Sequence, residues 1–140
     1  MRLIVDTNVI ISALIKDSMT RYIITHIPSE LITIGFSEKE LSKYKARILK
    51  KAMINEIEFE AILNKLKEKL IILNDFAIQK NMEEASRIMD RIDPNDTPFI
   101  AAALATNSDI WSDDKHFERQ NKVKVWKTKD LEKKMRIESI

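Results

Sequence analysis

Cysteine is absent from the 140 residues of the chain, which excludes a disulfide framework, a zinc ribbon and a thiol nucleophile. Glycine occurs once, at Gly35, so the glycine-rich loops that cradle nucleotide phosphates are excluded as well. Proline occurs three times, and no linker is recognisable. No apolar run is long enough to span a bilayer and no N-terminal targeting segment is recognisable; a cytoplasmic location without a membrane partner is expected. Aromatic residues make up only 6%, and the net charge of +2 leaves neither sign dominant overall.

That small sum conceals an uneven distribution. From Asp75 to Asp114 there are nine acids against three bases, and from Lys115 to Arg136 nine bases against three acids. A further basic cluster, Lys43, Lys45, Arg47, Lys50 and Lys51, contains no acid. An acidic centre between basic surfaces suits a site that holds cations beside a polyanion, although each run alone also reads as a solvated helix face. With 44% hydrophobic and 33% charged residues, the chain is expected to form one domain over residues 1–140, large enough to bury a core without staples.

The chain is organised around Leu3-Ile4-Val5-Asp6-Thr7-Asn8. Its β-branched apolar run without alternation predicts a strand covered on both faces, and Asp6 stands at that strand's carboxyl end. Helices are predicted over Thr7–Ile15 and from Ser18 to Pro28, the second with Tyr22, Ile23 and Ile27 inward. Leu31–Ile34 is a second strand. Ser37-Glu38-Lys39-Glu40 has the form of a capping box opening a helix to about Ala52. Another helix, near Asn55 to Lys69 with Ile57, Ala61, Ile62 and Leu66 on one face, completes a helical hairpin inserted after the second strand. Leu70–Leu73 is a third strand, followed by a helix over roughly Asp75 to Asp90. Asp93 to Pro98 is a turn into a helix with Phe99, Ile100, Ala103 and Leu104 inward. Asp109–Ser112 and Val123–Trp126 are the last strands, with Trp111 and Trp126 read as core. A helix from Lys129 to Arg136 and a frayed end at Ile137–Ile140 close the chain. Alternating strands and helices predict an α/β class with a parallel sheet.

In an open parallel sheet the ligand crevice lies at the carboxyl ends of the strands. Glu40, Asp96 and Asp114, the last preceded by Asp113, fall where that crevice should be. Each has a plain alternative as a helix cap, and so has Asp6. Capping does not explain why acids recur at successive strand ends. Two carboxylates about 4 Å apart repel by roughly 4 kcal/mol at an effective dielectric of 20. A cluster of them therefore raises its pKa values or binds a cation. Oxygen-only ligands with no His or Cys nearby select hard cations, Mg²⁺ or Mn²⁺.

Four segments in order, Asp6-Thr7-Asn8, Glu40-Leu41, Asp93-Pro94-Asn95-Asp96 leading into Phe99–Ala105, and Trp111-Ser112-Asp113-Asp114-Lys115-His116-Phe117, resemble the PIN-domain nucleases over essentially the whole chain. The likeness is nearest to stand-alone archaeal or bacterial PIN proteins, including the toxins of VapBC toxin–antitoxin pairs. It implies a Rossmann-like sheet of about five strands, a divalent-metal-dependent endoribonuclease, RNA as substrate, a homodimer and, for a toxin, an antitoxin partner. On this resemblance Asp6, Glu40, Asp96 and Asp114 take the catalytic positions, with Asp6, Asp96 and Asp114 as metal ligands and Glu40 acting through water. Aligning Ser112-x-Asp114 with the family's hydroxyl-x-Asp favours Asp114 over Asp113. Asn8, Ser112 and Asp93 are expected to support the ligands or touch substrate. Glu40, Lys43 and Arg47 share a helix face, which Lys50 extends, and that stripe is a candidate RNA-backbone track. His26 and His116 are read as surface or cap histidines.

Two other families begin with an Asp after the first strand. A haloacid-dehalogenase-like phosphatase needs a second Asp where Asn8 stands, and a response-regulator receiver needs its paired acids earlier than Asp113-Asp114. The remaining alternative is a PIN-like domain that binds RNA or protein without catalysis.

Overall fold

The structure is a computed structural model; it describes residues 1–138, with side chains as far as Arg136. In chain order the elements are β1 (Arg2–Val5), α1 (Thr7–Ile15), α2 (Met19–His26), β2 (Glu30–Ile34), α3 (Gly35–Ala52), α4 (Glu56–Lys67) and β3 (Leu70–Leu73). A 3₁₀ segment, Asp75–Asn81, leads into α5 (Met82–Met89), and a 3₁₀ turn, Pro94–Asp96, leads into α6 (Thr97–Thr106). Then come β4 (Asp109–Trp111), a 3₁₀ turn over Lys115–Arg119, β5 (Val125–Trp126) and α7 (Thr128–Glu138). The sheet order is β3-β2-β1-β4-β5 and every pairing is parallel. Strand order reverses beside β1, so the switch point that opens a crevice in such sheets lies between β1 and β4.

Alternation along the strands supplies two cores. Leu3, Val5, Leu31 and Trp111 face α1, α2, α3, α4 and α7, while Ile4, Ile32, Ile34 and Ile110 face α5 and α6. Both faces of the central strands are covered, which is why their sequence reads as a continuous apolar run. β3 lies at an edge, and its Ile71 and Ile72 are partly exposed.

Several expectations need correction. β2 runs into α3 without a loop, so the helix starts at Gly35 and Ser37 lies inside its first turn instead of capping it. The capping box is at Asn55 and Glu58, where side chain and backbone exchange both hydrogen bonds at the start of α4. The inward face of α4 is Phe59, Leu63 and Leu66; Ile57 is 81% exposed. Tyr22 is exposed, and Ile23 and Ile24 are the buried residues of α2. The stretch expected as one helix from Asp75 is 3₁₀ before Met82, with the Asn74 side chain accepting from the Ala77 amide. β4 and β5 are shorter than expected, and Trp126, on the edge strand, is only half-buried beneath Lys124. α7 starts at Thr128 and includes Ile137 and Glu138; the rest of the frayed end, Ser139 and Ile140, lies outside the described residues.

The hairpin turn contains a position open to improvement. Met53 ends α3 in the left-handed region, at φ 57° and ψ 43°, and its side chain is 90% exposed. A Cβ in that conformation costs roughly 1 kcal/mol, and glycine avoids the cost. Met53→Gly removes no packing, so it is expected to raise the melting temperature by a few degrees, on the order of 3 °C for a chain of this length. A scanning-calorimetry trace showing a lower value would place a packing role on Met53.

Candidate metal and nuclease site

The register of β1 against β4 pairs Val5 with Trp111, which brings the next residues, Asp6 and Ser112, side by side at the switch point. The Asp6 amide continues the ladder to the Trp111 carbonyl at 3.1 Å. Ser112 Oγ donates to Asp6 Oδ2 at 2.7 Å and accepts from the Asp114 amide at 3.0 Å, so one hydroxyl ties the two strand-end acids together. Asp6 is 3% exposed, and its carboxylate meets the Asn8 amide at the start of α1 without the geometry of a full capping bond. Burial pushes its pKa up to about 6, against the Ser112 hydroxyl and the Asn8 amide, with the charges of Asp114 and Glu40 adding to the rise.

Glu40 reaches the cleft from α3 because that helix begins early. Thr7 Oγ1, in the first turn of α1, donates to Glu40 Oε1 at 2.6 Å and lies 2.9 Å from the fully buried Ser37 Oγ. Thr33 Oγ1 in turn lies 3.0 Å from Ser37 Oγ. Thr7 Oγ1 thus has two acceptors for its one proton, Glu40 Oε1 and Ser37 Oγ, and Ser37 Oγ also accepts from Thr33. Burial raises the Glu40 pKa, the Thr7 hydroxyl and the Lys43 charge lower it, and the Asp93 charge raises it.

Asp96 enters from the turn before α6 and makes no capping bond. It is 9% exposed, and its Oδ2 is buried without a hydrogen-bond partner. Burial lifts its pKa to about 7, helped by the charges of Asp6, Asp93 and Asp114 and opposed by His116. Asp114 caps the 3₁₀ turn at Lys115–Arg119 by accepting from the His116 amide at 2.9 Å, so its capping role is real and its Oδ1 also faces the cluster.

His116, read from the sequence as a surface or cap histidine, is half-exposed in the turn that Asp114 caps, and it also faces the acids. Its Nδ1 lies 3.1 Å from Asp93 Oδ2, 3.5 Å from Asp96 Oδ2 and 3.6 Å from Asp114 Oδ1. Asp93, Asp96 and His116 each offer one ligand atom within 4.8 Å of the others. The only sequence signal was its position two residues after Asp114, inside a turn that swings the ring back over the acids. His26 stacks on Tyr22 at 4.1 Å and is not part of the cleft. Asp113 is engaged elsewhere: it accepts from the Thr128 amide at 2.8 Å and from Thr128 Oγ1 at 2.6 Å, at the start of α7. Asn8 is exposed and lines a hollow with Ser12, Asp113 and Asp114.

The basic stripe on α3 is partly committed. Lys45 pairs with Glu56 at 3.9 Å and Glu60 at 3.4 Å, acids that α4 brings from outside the cluster. Lys43 and Arg47 are exposed and straddle the Tyr44 ring at 5.4 and 5.2 Å. Lys50 lies in the last turn of α3, about 15 Å along the axis from Glu40, where its charge complements the helix dipole.

A parallel sheet in the order 3-2-1-4-5, with carboxylates gathered at the switch point, defines the class of molecule to which the chain was compared. The family profile described as PIN domain matches residues 4–136, and the chain belongs to that family. Among solved structures, VapBC2 from Rickettsia felis, bound to a DNA fragment from its promoter, aligns with a TM-score of 0.70 at 15% identity, covering 91% of this chain and 98% of that one. At that identity the likeness is one of fold. No curated protein matches the sequence.

The cluster fits a divalent ion. Gathered carboxylates with raised pKa values and a buried, partnerless Asp96 Oδ2 are what a cation would neutralise. Oxygen donors suit Mg²⁺ or Mn²⁺, and the nearby imidazole is a donor that manganese also accepts.

Proposed function

We propose that residues 1–140 form a single-domain, divalent-metal-dependent endoribonuclease. The observation that supports this reading is that Asp6 feels the charges of Asp114 and Glu40 and Asp96 those of Asp6 and Asp114, while Asp96 Oδ2 is buried without a hydrogen bond. Among the described residues the tightest set of donor atoms, within 4.8 Å of one another, is Asp93, Asp96 and His116, and Asp6 and Asp114 lie beside it. Asp6, Asp96 and Asp114 are the residues that would hold Mg²⁺ or Mn²⁺. When bound, such an ion neutralises charge on the phosphodiester and lowers the pKa of the attacking water. Ser112 fixes the rotamer of Asp6 and thereby the direction of its free oxygen. Glu40, held by Thr7 and with its pKa raised, is suited to take the water's proton as the water oxygen bonds to phosphorus and the P–O bond to the leaving ribose oxygen breaks. The His116 ring lies against Asp93, Asp96 and Asp114, and Asn8 offers an amide to the phosphate at the mouth. Lys43, Arg47 and Lys50 extend from Glu40 as a backbone track.

In the cell, this reading places the protein in the cytoplasm as a homodimer, with RNA as substrate and, where the VapBC likeness extends to function, an antitoxin as partner. Among the described residues no helix is long and apolar enough to cross a membrane. The test is cleavage of labelled RNA, single-stranded and structured, by purified protein. Cleavage is expected with Mn²⁺ or Mg²⁺ and is expected to disappear in EDTA and return with added Mn²⁺. Cleavage that persists in EDTA contradicts the mechanism. RNA binding without cleavage in Mn²⁺ favours a binding module.

A further inference from the structure

The cleft has a second basic neighbour, on the opposite face of the sheet from the α3 stripe. α5 and the segment after the 3₁₀ turn at Lys115–Arg119 pack with the core of α6, and between them runs a groove of about 700 Å³ lined by Arg87, Arg91, Arg119 and Lys122. Two acids, Glu84 and Glu118, also line it. Glu118 is taken by Lys127 at 2.6 Å, and Arg87 makes an exposed pair with Glu83 at 3.2 Å, the kind of pair that adds little and exchanges readily. Among the described residues no ion pair is made by Arg91, Arg119 or Lys122, and three cations facing one groove repel unless an anion joins them.

Two of its cations stand close in the chain to residues of the acidic cluster. Arg91 precedes Asp93 by two residues, which limits their Cα separation to about 7 Å. Arg119 ends the same turn in which His116 faces Asp93 and Asp96. Ile88 is the one large apolar side chain in the lining, so a protein partner would find little in which to bury an anchor. A chain of phosphates finds unpaired guanidinium groups.

We infer that the groove between α5 and the loop at 119–122 holds the backbone of single-stranded RNA on one side of the scissile phosphate. Arg91, Arg119 and Lys122 contact consecutive phosphates there. The strand crosses the carboxyl edge of the sheet, from the α3 face on one side of the cleft to the α5 face on the other. This inference rests on the nuclease reading above and adds to it the path of the substrate.

The test compares the wild-type protein with Arg91→Gln/Arg119→Gln and with Arg91→Lys/Arg119→Lys. Binding of a fluorescein-labelled 2′-O-methyl single-stranded RNA is followed by anisotropy in Mn²⁺ over a salt series, with melting curves to check folding. The Gln pair is expected to weaken binding about tenfold at low salt and to flatten the slope of log K against log salt by about 1.4, two phosphate contacts at 0.7 each. The Lys pair is expected to keep the wild-type slope. Unchanged affinity and slope in the Gln pair, while the wild type still cleaves RNA with Mn²⁺, overturn the groove alone. A wild type that neither binds nor cleaves RNA overturns the nuclease reading and the groove with it.

Discussion

Asp6→Asn is expected to remove RNA cleavage while raising the melting temperature of the metal-free protein. The first effect follows from the position of Asp6 at the end of the central strand, where it would ligate the ion. Loss of such charge stabilisation lowers kcat on the order of 10³-fold or more. The second follows from burial. Asp6 is 3% exposed and its pKa is raised to about 6 from 3.8, so near pH 8 the folded state carries an unfavourable charge. About two pKa units correspond to up to roughly 3 kcal/mol, at 1.36 kcal/mol per unit. Asparagine keeps an acceptor for Ser112 Oγ and removes the charge. A rise of roughly 6–12 °C is expected at about 2–4 °C per kcal/mol. If Asp6 were mainly a structural cap, the same substitution would lower the melting temperature, so the sign separates the two roles.

Without metal, stability is expected to fall as the pH rises from about 4 to just above 7. The folded pKa values of Asp6, about 6, and Asp96, about 7, lie above the ordinary 3.8, and Glu40 is also raised. A group that binds its proton more tightly when folded stabilises the fold as the pH drops through its folded pKa, and that contribution is lost above it. The window therefore opens near pH 4, where the unfolded carboxylates ionise, and closes just above pH 7, where the folded Asp96 has lost its proton. Saturating Mn²⁺ at pH 8 is expected to reverse the loss, because a cation favours the charged carboxylates and binds only the folded chain. Denaturant melts at pH 5 and pH 8, each with EDTA or Mn²⁺, measure both effects. Metal-free stability that rises with pH would contradict the pKa assignments.

Much of the architecture could be read in advance, since strands and helices alternate with clear periods and the hairpin after β2 is present as expected. What escaped has particular causes. Ser37-x-x-Glu40 imitates a capping box, and only the direct passage of β2 into α3 shows that Ser37 belongs to a hydroxyl chain from Thr33 to Glu40. The pairing of Asp6 with Ser112 depends on strand order, because residues 106 positions apart meet only when β4 lies beside β1. The choice of Asp114 over Asp113 was legible in Ser112-x-Asp114, whereas the bonds from Thr128 that turn Asp113 away depend on where α7 starts. The direction of the His116 ring is not legible in the sequence, because a 3₁₀ turn with no periodicity of its own sets it. For α4 a plausible apolar face was chosen around Ile57, while the aromatic Phe59 marked the true one.

The most direct measurement is titration of the metal-free protein with Mn²⁺, with the free ion read by its electron paramagnetic resonance signal. The wild type is expected to withdraw Mn²⁺ from solution at a saturable site, and Asp6→Asn and Asp96→Asn are each expected to weaken that uptake at least tenfold while the protein stays folded. A wild type that leaves the signal untouched, or uptake that both variants retain in full, would contradict a cation site at the meeting of these acids.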